Sequence, residues 1–156
     1  MTQLLKDEKI TKAYTSPTPR AKQTAQMILK EHDVLLHEDE RLKEVNFGVL
    51  EGLPCSFVDI LHLESSNWLE DLKMDYTSYQ GENIDNVITR QQEVLKEIEK
   101  ISNEEDCIVV VGHGCSLYAL IKTLLKDEKI TFPGNASAYI LCKKNNEYKL
   151  EKYLRP

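Results

Sequence analysis

Long hydrophobic runs are missing from this 156-residue chain. No apolar stretch approaches the roughly 20 residues that a membrane-spanning helix requires, so an integral helical membrane protein is excluded. Paired cysteines are missing too. Cys55, Cys107, Cys115 and Cys142 form no C-x-x-C unit, Cys107 and Cys142 fall in apparent core strands, and free thiols in a reducing cytosol are the simplest account. Histidine is scarce: four residues, with no metal-ligand spacing, so no metal site is expected. Positive charge is in deficit, with 20 Lys and Arg against 26 Asp and Glu and a net charge of −6, which argues against nucleic acid as the main partner. An anionic substrate would need a local cationic pocket working against that global field. The first residues, Met1 to Lys9, have too short an apolar stretch, and acids too early, for a secretory signal, so a cytoplasmic location is expected.

What remains is ordinary globular composition, 41% hydrophobic and 29% charged, enough for one domain over 1–156 with a sizeable core. The chain is organised around Cys107–Leu120. The short β-branched run Cys107 to Val111 reads as a buried parallel strand, and an apolar helix follows from about Ser116. Between them His113 stands bracketed by Gly112 and Gly114. This places the imidazole at the carboxyl end of a sheet, where open α/β sheets bind ligands. The glycines are expected to let backbone approach a ligand, and the helix start to offer N–H groups to an anion. A structural histidine in a tight turn fits the same pattern equally well.

Upstream, Ile10 to Tyr14 is a short strand candidate. Pro19 then suits the first position of a helix running to about Glu31, with Ala21, Ala25, Ile28, Leu29 and His32 on one face. Arg20 falls in the first turn, where a cation opposes the helix dipole, and this favours a functional over a merely solvated side chain. Val34 to His37 is a second strand candidate. In the segment Arg41 to Gly52, Glu44 and Glu51 are either solvated acids, the favoured reading of the stretch alone, or one of them is a site carboxylate. Residues 53–80, with Trp68, Tyr76 and Tyr79, suit a small lid over a cleft, or plain packing. After Gly81-Glu82-Asn83 comes a long amphipathic helix striped by Ile84, Val87, Ile88, Val94, Leu95, Ile98 and Ile101. Asn145-Asn146 joins two strand candidates, 138–143 and 148–153, as a terminal hairpin. The octapeptide Leu-Leu-Lys-Asp-Glu-Lys-Ile-Thr occurs twice, at 4–11 and 124–131, in each case expected to end a helix and lead toward a strand.

Three blocks in order resemble the histidine phosphatase (phosphoglycerate mutase-like) superfamily. Ser16-Pro17-Thr18-Pro19-Arg20-Ala21-Lys22-Gln23-Thr24-Ala25 is similar to its Ser-Pro-x-x-Arg-Ala-x-x-Thr-Ala block. Glu44 to Gly52 is similar to Glu-x-x-Phe-Gly-x-Trp-Glu-Gly, with Leu50 in place of Trp, and Val110 to Gly114 resembles its second histidine motif. Gly81-Glu82-Asn83 is close to the family's Gly-Glu-Ser.

The resemblance implies a three-layer α/β fold with a mostly parallel sheet flanked by helices. It implies hydrolysis of small phosphomonoesters through a phosphohistidine, without a cofactor or metal. Arg20 and His113 would hold phosphate, Glu44 would be the general acid, and Glu82 and Ser16 would shape the pocket. The family's opening Arg-His-Gly, which carries the attacking histidine on the first central strand, has no counterpart here; His32, His37 and His62 stand in the wrong places. The resemblance therefore implies an N-terminally incomplete domain, inactive by itself, with an unpaired sheet edge that a second copy's strand could fill to give a homodimer. Phosphoglycerate mutase-type transfer and non-catalytic phosphate binding are the alternatives.

Overall fold

The computed structural model describes residues 2–54, 71–126 and 129–155. The elements in chain order are α1 (Thr2–Leu5), β1 (Ile10–Thr15), α2 (Pro19–Ile28), β2 (Leu36–Glu38), α3 (Ile84–Lys100), β3 (Cys107–Val111), α4 (Gly114–Leu124), β4 (Ala138–Lys144) and β5 (Glu147–Leu154). Trp68 and most of the expected lid lie outside the described residues. No described helix is long and apolar enough to cross a membrane.

The fold is α/β. β1 pairs in parallel with β2 on one edge and β3 on the other, giving the order β2-β1-β3. Both faces of this sheet are covered, because side chains alternate along a strand. Cys107, Val109 and Val111 turn toward Ile28 and Leu29 at the end of α2. Ile108 and Val110 turn toward Val94 and Ile98 of α3, and Leu42 closes the same cluster. Pro19 does open α2, where its missing N–H costs nothing, and Thr18 is the residue before it.

β4 and β5 form a separate antiparallel hairpin. Its turn residues Asn145 and Asn146 both take positive φ, 52° and 64°, the geometry of a tight type I′ connection that Asn tolerates. Glu99 of α3 holds the hairpin through Lys143 at 2.8 Å and through the Tyr148 hydroxyl.

Four expectations need correction. Ile101, expected in the apolar stripe of α3, stands just past its last residue and is exposed. β3 is parallel, but all five of its residues keep partial exposure, because among the described residues only one of its edges is paired. Cys142, expected in a core strand, is exposed. The second octapeptide ends its helix at Leu124 as expected, but Ile130 and Thr131 remain outside any strand. In the first copy Ile10 pairs with Cys107. In the second, the Thr131 carbonyl instead accepts from the Tyr139 hydroxyl.

Candidate active site

β1 and β3 end side by side, and the chain leaves both in ways that converge. Ser16 N–H donates to the Val111 carbonyl at 2.9 Å, which fixes the first residue after β1 to the last residue of β3. Ser16 is fully buried there. Beyond β3, α4 begins at Gly114, earlier than the sequence suggests, so His113 is its N-cap residue. The His113 ring is buried, and its Nε2 lies 2.8 Å from Ser16 Oγ and 3.2 Å from Thr18 Oγ1. Arg20 stands exposed in the first turn of α2. Burial is the main cause holding the His113 imidazole below its ordinary pKa; Arg20 and Arg90 push the same way and Glu44 opposes them.

Glu44 reaches this cluster from the segment before Gly48. Its Oε1 accepts from the N–H of Val45 at 3.0 Å and of Ser116 at 2.8 Å, and its Oε2 accepts from Cys115 N–H at 3.2 Å. The carboxylate thus occupies the first turn of α4, where unpaired N–H groups favour a negative charge. That corrects the expectation that those N–H groups await a ligand. Gly112 and Gly114 are corrected likewise. A Cβ on Gly112 would sit 3.1 Å from Leu117 Cγ, and one on Gly114 3.3 Å from a Phe132 ring carbon, so both close against side chains rather than leave room for a ligand.

Glu51, the other carboxylate considered, is exposed and accepts from Phe47 N–H at 3.1 Å. Glu82 bonds the segment that carries Glu44. Its carboxylate pairs with Arg90 at 3.0 and 3.1 Å and accepts from Asn46 N–H at 2.9 Å. Tyr76 is buried among Val45, Met74 and Ile84, and Phe47 packs on it with ring centroids 4.9 Å apart. Leu50, where the family has Trp, is buried in that same cluster. Gly48 has φ +60°, and a Cβ there would overlap the Tyr79 carbonyl, so this loop and residues 79–81 touch backbone to backbone. A cleft of about 600 Å³ walled by Glu99, Thr123 and Tyr148 lies at the far end of α4 and gathers none of these groups.

Arg90 is the residue that sequence reasoning missed. The signal was present: it follows Val87 by three positions and precedes Val94 by four, so it borders the buried stripe of α3. Among the described residues, no group of His, Cys, Asp and Glu is placed to hold a metal ion.

So arranged, two hydroxyls and an imidazole meet at the carboxyl end of a parallel sheet, with the charges of Arg20 and Glu44 both felt by that imidazole. The model of the histidine phosphatase superfamily (branch 1) matches residues 1–154. The chain belongs to that superfamily. It is 31% identical over 119 residues to a probable phosphoglycerate mutase GpmB of Serratia proteamaculans, covering 74% of this chain and 54% of that protein. The corresponding protein of Erwinia tasmaniensis is 30% identical over 127 residues, 79% of this chain and 57% of that one. The chain therefore spans about half the length of these curated relatives. In fold it resembles the phosphoglycerate mutase of Bacillus anthracis str. Sterne, with a TM-score of 0.82, 25% identity, and 96% and 74% of the two chains covered. It likewise resembles a mycobacterial glucosyl-3-phosphoglycerate phosphatase, with a TM-score of 0.81, 23% identity, and 96% and 80% covered.

Proposed function

We propose that this chain supplies the phosphate-holding part of a histidine phosphatase that hydrolyses small phosphomonoesters. The observation carrying this reading is the meeting of Ser16, Thr18 and His113 within hydrogen-bond distance beside Arg20, where β1 and β3 end. Arg20 presents a planar fork suited to phosphoryl oxygens, and His113 with the two hydroxyls supplies further hydrogen bonds to the charge that grows in the transition state.

The superfamily's chemistry breaks the ester P–O bond and forms a P–N bond to an imidazole; water then breaks the P–N bond. The departing alkoxide takes a proton. Glu44 is the donor in this reading, and Oε2 is the oxygen with room to carry the proton, because Oε1 already accepts two N–H bonds. His113 is tied to Ser16 and Thr18, and His37 is stacked on Tyr14. In this reading neither of these imidazoles attacks, and the attacking one is supplied by a further strand segment seated along the edge of β3 that is unpaired among the described residues.

Residues 1–156 alone should bind inorganic phosphate or vanadate, weakened at least about tenfold by Arg20→Ala, and leave an aryl phosphate intact. Turnover that disappears in His113→Ala would sink the assignment of the nucleophile. Absence of binding would sink the pocket. A second reading is phosphotransfer between the hydroxyls of phosphoglycerate, favoured by the names of the two bacterial relatives. Interconversion of 2- and 3-phosphoglycerate without release of phosphate, in a protein completed by that segment, would favour it over hydrolysis.

A further inference from the structure

We infer that Arg90 is a positioning residue that fixes the Glu44 carboxylate on the first turn of α4, next to His113. This rests on the reading of Glu44 as part of the phosphate pocket. Most of the guanidinium's bonds go to one short segment. Its Nη1 donates to the carbonyls of Arg41 and Lys43, the latter at 2.8 Å, and its Nη2 donates to the Glu44 carbonyl at 3.0 Å. The remaining bonds go to both carboxylate oxygens of Glu82, which in turn takes Asn46 N–H. Glu82 N–H donates to the Asn46 carbonyl at 2.8 Å, so residues 41–46 are held from both sides of Glu44.

The geometry explains why an arginine stands at the edge of the buried stripe of α3. A half-buried cation is costly unless it is paired and fully hydrogen-bonded, and here a carboxylate and three carbonyls satisfy it. A lysine could reach one or two of those acceptors but not span them, because the planar fork is what binds the carboxylate and the carbonyls together. The path from Arg90 to the site is short: guanidinium to the segment 41–46, Glu44 side chain to the N–H groups of Cys115 and Ser116, and that turn to His113, its N-cap residue.

The test is a double-mutant cycle read by NMR on ligand-free protein, following the His113 ring as pH is varied. The charged groups acting on that ring are Glu44, Arg20 and Arg90. Glu44→Gln in the wild-type background should lower the His113 midpoint, since Glu44 favours the charged ring. The same change made in Arg90→Gln or in Arg90→Lys should have no further effect, because Glu44 has already left its place. In Arg90→Lys the N–H resonances of Cys115 and Ser116 should also lose their hydrogen-bonded shifts and exchange faster.

An equal effect of Glu44→Gln in all three backgrounds would overturn the proposal and leave Arg90 with a purely structural or field role. Should Arg90→Gln fail to fold, Arg90→Lys carries the test, and unchanged Cys115 and Ser116 resonances there would overturn it. Phosphate binding is measured separately. Its failure would remove the pocket reading while leaving the cycle interpretable, and its success with an additive cycle would remove only the role of Arg90.

Discussion

β1 and β3 lie side by side, run in the same direction and each deliver one half of the candidate pocket. By composition β3 should be the more deeply buried, Cys-Ile-Val-Val-Val against Ile-Thr-Lys-Ala-Tyr-Thr. The reverse holds. Ala13 and Thr15 of β1 are fully buried, whereas every residue of β3 stays partly exposed. The difference lies in the edges: β1 has a partner on both sides, and β3 has one on only one side among the described residues. Apolar composition reports the environment a strand is made for, and neighbours decide whether it is reached. The same contrast separates the clamped loop at Gly48, closed by backbone on backbone, from the outer edge of β3.

The largest break in that comparison should come from one charge placed on each strand. Ala13→Asp puts an unpaired carboxylate between two paired neighbours and should cost about 4 kcal/mol or more. Val110→Asp in β3 should cost about half as much, because water already reaches that strand. Urea midpoints of the two variants measure this, and equal losses would mean that the open edge is covered in solution.

Next comes the clamped loop. Gly48→Ala meets both positive φ and the Tyr79 carbonyl, and should cost about 3 kcal/mol. Gly52 also has positive φ, 80°, but nothing within 4 Å of where its Cβ would stand. Gly52→Ala should cost only about 1 kcal/mol, which is the backbone strain without the overlap. Thermal melts of the pair separate close packing from strain.

Hydrogen exchange gives a finer reading of the same edge. The Val111 carbonyl accepts from Ser16 N–H, so Val111 and Val109 face β1, and Ile108 and Val110 direct their amides outward. The outward pair should exchange at least about tenfold faster than the inward pair, while Ala13, Tyr14 and Thr15 are slow throughout. Adding an extended apolar segment that seats on β3 should slow Ile108 and Val110 first.

Much of this arrangement is legible in the residues. Pro19 at the start of α2, the period of α3 and the Asn145-Asn146 turn are local signals with local causes, and they stand where the sequence puts them. The superfamily blocks likewise lead to Ser16, Arg20, Glu44 and His113. What was not legible depends on distant partners. The second octapeptide lacks the neighbour that makes Ile10 a strand residue. The first turn of α4 is filled by a carboxylate 70 residues and more upstream, and no spacing rule reports that. Nor does any motif announce the partner of Glu82, Arg90, eight positions away and turned toward it by the helix.

The smallest expected effect asks to which side of the comparison the end of β3 belongs. His113 is buried although the strand before it is not, and its ring is held below its ordinary value of 6.5. The unfolded chain therefore binds this proton more readily than the folded one. Stability rises with pH wherever the unfolded state holds more protons. The contribution of a neutral His113 is thus fully present above about pH 6.5 and is lost as pH falls through the lower midpoint of the folded ring. The difference in urea midpoint between wild type and His113→Asn should shrink as pH falls from about 7.5 to about 5, while the other histidines cancel between the two proteins. A difference that stays constant across that window would mean a wet, freely titrating ring, and the open edge of β3 would then extend into the pocket. A difference that shrinks on acidification would mean that Ser16, Thr18 and the first turn of α4 close this end of β3 as thoroughly as paired neighbours close β1.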